Sequence, residues 1–205
     1  MINAIAAHAL AADRGGRRLF SDLNLRVEAG GLLSVTGPNG SGKTTLLRVL
    51  AGLAPAAQGE IAFQSAAGPL AAEDARSRGL HLLGHADGLS TARRAVEELD
   101  FWTTWLGGGP AGRAAAIDQF ALKPLLDLPV AALSAGQRRR LVLARLVAAP
   151  RPLWLLDEPF SPLDERNRRR LQEVMAAHLD GGGLIIASTH DPLPLAGDRL
   201  EIPQR

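Results

Sequence analysis

Residues Gly37 to Thr45, GPNGSGKTT, constrain this chain more than any other segment. They fit the spacing G-x-x-x-x-G-K-[ST] and lie between LLSVT, an apolar run that reads as a strand, and TTLLRVLAGL, which has helical spacing. The glycines let the backbone curl so that successive N–H groups point inward at phosphate oxygens, and the N-terminus of the following helix adds partial positive charge. Gly37, Pro38, Asn39, Gly40, Ser41, Gly42, Lys43, Thr44 and Thr45 are therefore the candidate nucleotide-phosphate ligands. Lys43 is expected at the β- and γ-phosphates, where it would also serve catalysis, and Thr44 is expected on a magnesium ion.

A strand–loop–helix unit of this kind calls for an α/β fold, and the rest of the chain fits one. PLWLLD and GLIIAS are continuous apolar runs suited to the interior of a parallel sheet covered on both faces, and DERNRRRLQEVMAAHL between them reads as a helix. Upstream of the glycine loop, RLFSDLNLRVE alternates as an antiparallel strand does, and GEIAF downstream reads as a short strand. From about 87 to 146 the pattern turns helical, in TARRAVEELDFWTTWL, AGRAAAIDQFAL and the stretch opened by LSAGQ. With 205 residues, 46% of them hydrophobic, the expectation is a single domain carrying a helical subdomain at about 87–146.

Composition narrows the possibilities. No run approaches the roughly 18 unbroken apolar residues of a membrane-spanning helix, so any membrane role needs a partner. The N-terminus MINAIAAHALAADRGG has only a faint likeness to a secretory signal, lacking its basic start, and a cytoplasmic location is expected. Zero cysteines exclude disulfides and thiolate-ligated zinc. The pI near 9.9 accompanies a formal net charge of only +2, and the arginine runs at 138–140 and 168–170 read as solvated helix faces rather than a nucleic-acid site.

Two further strand ends carry candidate chemistry. Asp157 closes LWLLD, at the edge where open α/β sheets place ligands, and is expected to hold magnesium directly or through water. Glu158 follows it and is the candidate base for the attacking water. An Asp-Glu pair of this kind also ends strands for structural reasons alone. His190, closing GLIIASTH, would reach the same edge, facing the γ-phosphate. His8, His81 and His178 show no metal-ligand spacing. LSAGQ, from Leu133 to Gln137, begins a helix with Ser134 and the N–H groups of Ala135 and Gly136, a second anion-binding turn.

That segment resembles the signature of the ABC ATPase family, whose usual form has glycine where this chain has Ala135. The resemblance runs from Gly37 to His190 in the family's order. It implies a P-loop NTPase of the ABC type, with a mostly parallel core sheet, an antiparallel β subdomain and a helical subdomain. It also implies ATP and Mg2+ as cofactors and a homodimer in which the signature of one copy, through Ser134, Gly136 and Gln137, caps the γ-phosphate held by the other. SPLD, ending at Asp164, resembles the D-loop that crosses that interface, and His190 corresponds to the switch histidine.

Two departures stand out. His85 in LLGHADGLS occupies the place of the usual Q-loop glutamine, where it is either a contact for magnesium-bound water or only a loop residue. Arg14 stands near the position of the aromatic that usually stacks on adenine, and an arginine plane can also stack on a base. The LGH segment, LSAGQRRR and LWLLDEPFSPLD resemble the cytochrome c maturation branch of the family. This implies integral membrane subunits of the CcmB and CcmC kind, a place at the cytoplasmic face of the inner membrane, and a role in haem export, with the ATPase of another ABC exporter or importer as the alternative. Phe101, Trp102 and Trp105 share one expected helix and read as core packing in preference to a docking face.

Overall fold

The computed structural model describes residues 1–203. In chain order they form β1 (Ile2–Arg14), β2 (Arg17–Glu28), β3 (Leu32–Thr36), α1 (Lys43–Leu50), β4 (Gln58–Ser65), β5 (Gly68–Leu70), α2 (Ala72–Arg78) and β6 (Leu80–Leu83). There follow α3 (Ala95–Trp105), α4 (Pro110–Gln119), α5 (Ala135–Leu143), α6 (Arg145–Ala148), β7 (Leu153–Asp157), α7 (Glu165–Asp180), β8 (Leu184–Ser188) and β9 (Asp198–Glu201). By compactness the chain divides into two units, one made of Met1–Gly84, Arg151–Pro159 and the described residues from Met175 onward, the other of His85–Pro150 and Phe160–Val174. Among the described residues no helix is long and apolar enough to cross a membrane.

The first unit holds both sheets. Its five-stranded sheet runs β6-β7-β8-β3-β9 with every pairing parallel. All five residues of β7 and of β8 are buried, the two-sided cover that continuous apolar runs require. Register then aligns the functional strand ends, because Ser188 pairs with Asp157 on one side and with Val35, one residue before the end of β3, on the other. Leu46, Leu47 and Leu50 of α1 pack into one apolar cluster with Val35, Leu155 and Ile186, so the helix that begins at Lys43 is fixed against the strands that end at the site.

The second sheet is antiparallel, in the order β2-β1-β4-β5. Its central strand β1 is the N-terminal segment whose alanines gave the faint likeness to a signal. Ile5, Ala7, Leu10 and Ala12 are fully buried there, and the register shifts around Ala9, whose φ is 47°.

The second unit packs α3, α4 and α6 on one another. Its interior includes a buried ionic cluster. Glu98 accepts from Ser90 N–H (3.2 Å), Arg93 Nη1 (3.2 Å) and Trp102 Nε1 (3.0 Å). The Arg145 guanidinium lies 3.8 Å from the centroid of the Trp102 ring and donates to Gly88 O at 3.3 Å. Burial pulls Arg145 down to about 10, against the opposing charges of Glu98 and Asp87.

Of the aromatic trio, only Trp102 packs inward. Ala95, Glu98, Leu99 and Thr103 take the inner face of α3, which turns Phe101 and Trp105, one helical turn apart, outward with 40% and 73% exposure. Nor are the arginine runs simply solvated. Arg139 is buried, Arg140 donates to Phe120 O and Ala121 O, Arg138 to Leu133 O, Arg168 to Leu163 O and Arg170 to Gln119 O. Guanidinium forks satisfy carbonyls that the surrounding turns leave open.

Candidate active site

The loop after β3 bends sharply into α1. Gly37 has φ 144° and Gly42 φ 111°, and a Cβ on Gly37 would strike the carbonyl of Ile202, so the sequence needs glycine there. Lys43 is buried and its Nζ donates to Gly37 O (2.7 Å) and Pro38 O (3.1 Å). The Ser41 hydroxyl is buried with no hydrogen-bond partner among the described residues, a donor in reserve at the loop's centre. A cavity of about 220 Å³ opens here, lined by Arg14, Leu19, Asn39, Gly40, Gly42, Lys43, Thr44, Thr45 and Glu158. A larger cleft of about 550 Å³ lies at the other end of α1, but its lining, with Val49, Leu53 and Arg76, carries no carboxylate or hydroxyl. The smaller one carries the carboxylate of Glu158 and the hydroxyls of Thr44 and Thr45.

Asp157 ends β7 and Glu158, which follows it, lines that cavity. Thr44 Oγ1 lies 2.9 and 3.1 Å from the two oxygens of Asp157, which is buried at the end of β7. A hydroxyl and a carboxylate at this separation are hard oxygen donors that fit a magnesium ion, which completes its shell with water and phosphate. Ser188, which sequence reasoning passed over, donates to Asp157 Oδ1 at 2.5 Å and accepts from Glu158 N–H at 3.1 Å. Glu158 adopts φ 46°, unusual for a residue with a side chain, and its Oε1 lies 2.9 Å from His190 Nε2. His190 thus meets the candidate base directly.

The remaining candidates lie in the second unit. Ser134 caps α5: its Oγ accepts from Gln137 N–H at 3.2 Å while Gln137 Oε1 accepts from Ser134 N–H at 2.8 Å. The side chain of Gln137 is therefore engaged in its own helix, and the first-turn N–H groups at Ala135 and Gly136 are the ones that the cap leaves for a ligand. Asp164 likewise turns its carboxylate to Asn167, accepting from the backbone N–H at 2.9 Å and from Nδ2 at 2.8 Å. His85 is exposed in the loop after β6, whereas the Thr44–Asp157 pair lies wholly within the first unit.

Comparison with known proteins agrees with this geometry. The model of the ABC transporter family matches residues 20–161. The cytochrome c biogenesis ATP-binding export protein CcmA of Nitrobacter winogradskyi is 45% identical over 198 residues, 97% of each chain. The chain belongs to the ABC transporter family, in its cytochrome c biogenesis branch. It is an ABC-type, nucleotide-hydrolysing transport ATPase, and the expected α/β fold with one parallel and one antiparallel sheet holds. Solved ABC structures share that fold at low identity. The dimeric cassette MJ0796 superposes with TM-score 0.80 at 19% identity over 97% of this chain and 94% of its own. A bacterial Atm1-family ABC exporter with ATP bound gives TM-score 0.82 at 21% identity over 99% of this chain and 38% of its own.

Proposed function

We propose that this chain is the homodimeric ATP-hydrolysing subunit of a cytochrome c maturation transporter, held at the cytoplasmic face of the inner membrane by integral membrane subunits of the CcmB and CcmC kind. The step it powers is haem export or release of the haem-loaded chaperone. The contact between Thr44 and Asp157 beneath the glycine loop carries the reading of the site. High identity across 97% of an export protein of cytochrome c biogenesis supports the biological role. The dimeric MJ0796 cassette and the ATP-bound Atm1-family exporter support a dimer that buries ATP.

In this reading the N–H groups of the glycine loop and Lys43 grip the β- and γ-phosphates, and Thr44 and Asp157 would hold magnesium, which when bound would supply charge neutralisation for the phosphoryl group. Glu158 orients the attacking water and takes its proton. His190 steadies Glu158 through Oε1. Ser134, with the N–H groups of Ala135 and Gly136, closes over the γ-phosphate bound to the partner copy, flanked there by Gln137 and Asp164. His85 would serve as a contact for magnesium-bound water, or else is only a loop residue. Nucleotide binding closes the dimer and hydrolysis reopens it.

The test is Glu158→Gln in purified protein: ATP should still bind, turnover should fall by about a thousandfold, and a stable dimer should accumulate on size-exclusion chromatography. Unchanged turnover removes Glu158 from its role. For the biological role, deletion of the gene should abolish covalent haem staining of c-type cytochromes. Normal staining would reassign the subunit to another ABC exporter or importer.

A further inference from the structure

Ser188 is fully buried at the end of β8, two residues before His190, and its side chain joins two functional groups. A hydroxyl has one proton to give. Here it goes to Asp157 Oδ1 at 2.5 Å, which leaves the lone pairs to accept Glu158 N–H at 3.1 Å. The Glu158 N–H also lies 3.2 Å from the carbonyl of Ser188 itself. Rotation of a carboxylate about its terminal bond is soft, so its donors, Ser188 on Oδ1 and Thr44 across both oxygens, select the plane of the group. The left-handed backbone of Glu158, φ 46°, also needs an anchor to persist.

We infer that Ser188 is a positioning residue for both halves of the chemistry, orienting Asp157 towards the metal while holding the backbone from which Glu158 reaches the water. The inference rests on the roles given above to Asp157 and Glu158. Ser188 is fully buried and acts through Asp157 and Glu158. Its hydroxyl ties the carboxylate on one strand to the base that follows it, so both shift together if that hydroxyl is lost.

Three variants test this: Ser188→Ala removes the hydroxyl, Ser188→Thr keeps it on a residue that suits a strand, and Asp157→Asn probes the metal site itself. Ser188→Ala should bind ATP normally in EDTA, yet its half-saturating Mg2+ for turnover should rise about tenfold, the loss of one hydrogen bond to a charged group. Binding of Mn2+ with a non-hydrolysable ATP analogue, followed by electron paramagnetic resonance, should weaken by the same factor. Ser188→Thr should restore both. Wild-type Mn2+ binding and Mg2+ dependence in Ser188→Ala would overturn the inference, as would a loss of turnover that accompanies only a lower melting temperature. If Asp157→Asn also leaves Mn2+ binding unchanged, the metal role of Asp157 falls first, and that of Ser188 with it. If only the Asp157 variant weakens it, Ser188 alone is excluded.

Discussion

Glu98→Gln tests the buried cluster of the second unit. The wild-type carboxylate is almost wholly buried, with a side-chain exposure of 2%, and accepts from Ser90, Arg93 and Trp102. Its charge matters beyond these bonds, because it opposes the burial that pulls Arg145 down to about 10. Glutamine keeps the shape and one acceptor oxygen but leaves Arg145 confined against Trp102 with less compensation. Breaking one side of a buried ionic arrangement costs roughly 3–5 kcal/mol. The partly exposed Arg93 and Asp87 soften this, so about 3 kcal/mol is expected, or a fall in melting temperature of roughly 6–12 °C for a chain of this size. Urea denaturation followed by tryptophan fluorescence measures it, with Trp102 inside the cluster as the reporter. Adding Arg145→Met should recover at least ~1 kcal/mol relative to additivity, since the second change removes the stranded charge. A single-variant loss under ~1 kcal/mol, or a strictly additive pair, would refute the coupling.

Other expectations concern the far edge of the parallel sheet and the outer face of α3. His178 stacks on Trp154 with centroids 3.6 Å apart, its Nε2 is bonded to Pro152 O, and burial lowers its pKa below 6.5. The folded protein therefore holds it neutral while the unfolded chain protonates it, so its contribution is complete above pH 6.5 and fades as pH falls from there through the folded value; urea midpoints from pH 8 to 5 should fall more steeply in wild type than in His178→Phe. Gly183→Ala would drive a Cβ into the His178 ring and should cost about 1–3 kcal/mol by the same denaturation assay. Trp105→Ser, on the exposed face of α3, should change stability by less than about 0.5 kcal/mol, and a larger loss would show that this face is covered in the folded protein.

What could be read from the residues follows their physics. β7 and β8 are buried on both faces, so they stand out as apolar runs, and a glycine loop between strand and helix declares its own geometry. β1 escaped because alanine gives little contrast between its two faces, and α2 and β9 are too short to show a period. The outward turn of Phe101 and Trp105 depends on which residues of α3 meet α4 and α6, a choice made by tertiary packing. The arginine runs look like a charged surface until their carbonyl partners are located. Ser188 was invisible for a related reason, since a lone serine at a strand end acquires meaning only through its register with Asp157.

Lys43 bends back onto the carbonyls of Gly37 and Pro38, so its ammonium is solvated by its own loop. Nucleotide capture at this residue is an exchange of partners. The affinity that Lys43 contributes is the difference between phosphate and two carbonyl oxygens, and a small anion that offers a single contact gains little by displacing them. The loop thereby discriminates in favour of ligands long enough to engage its N–H groups and its lysine at once.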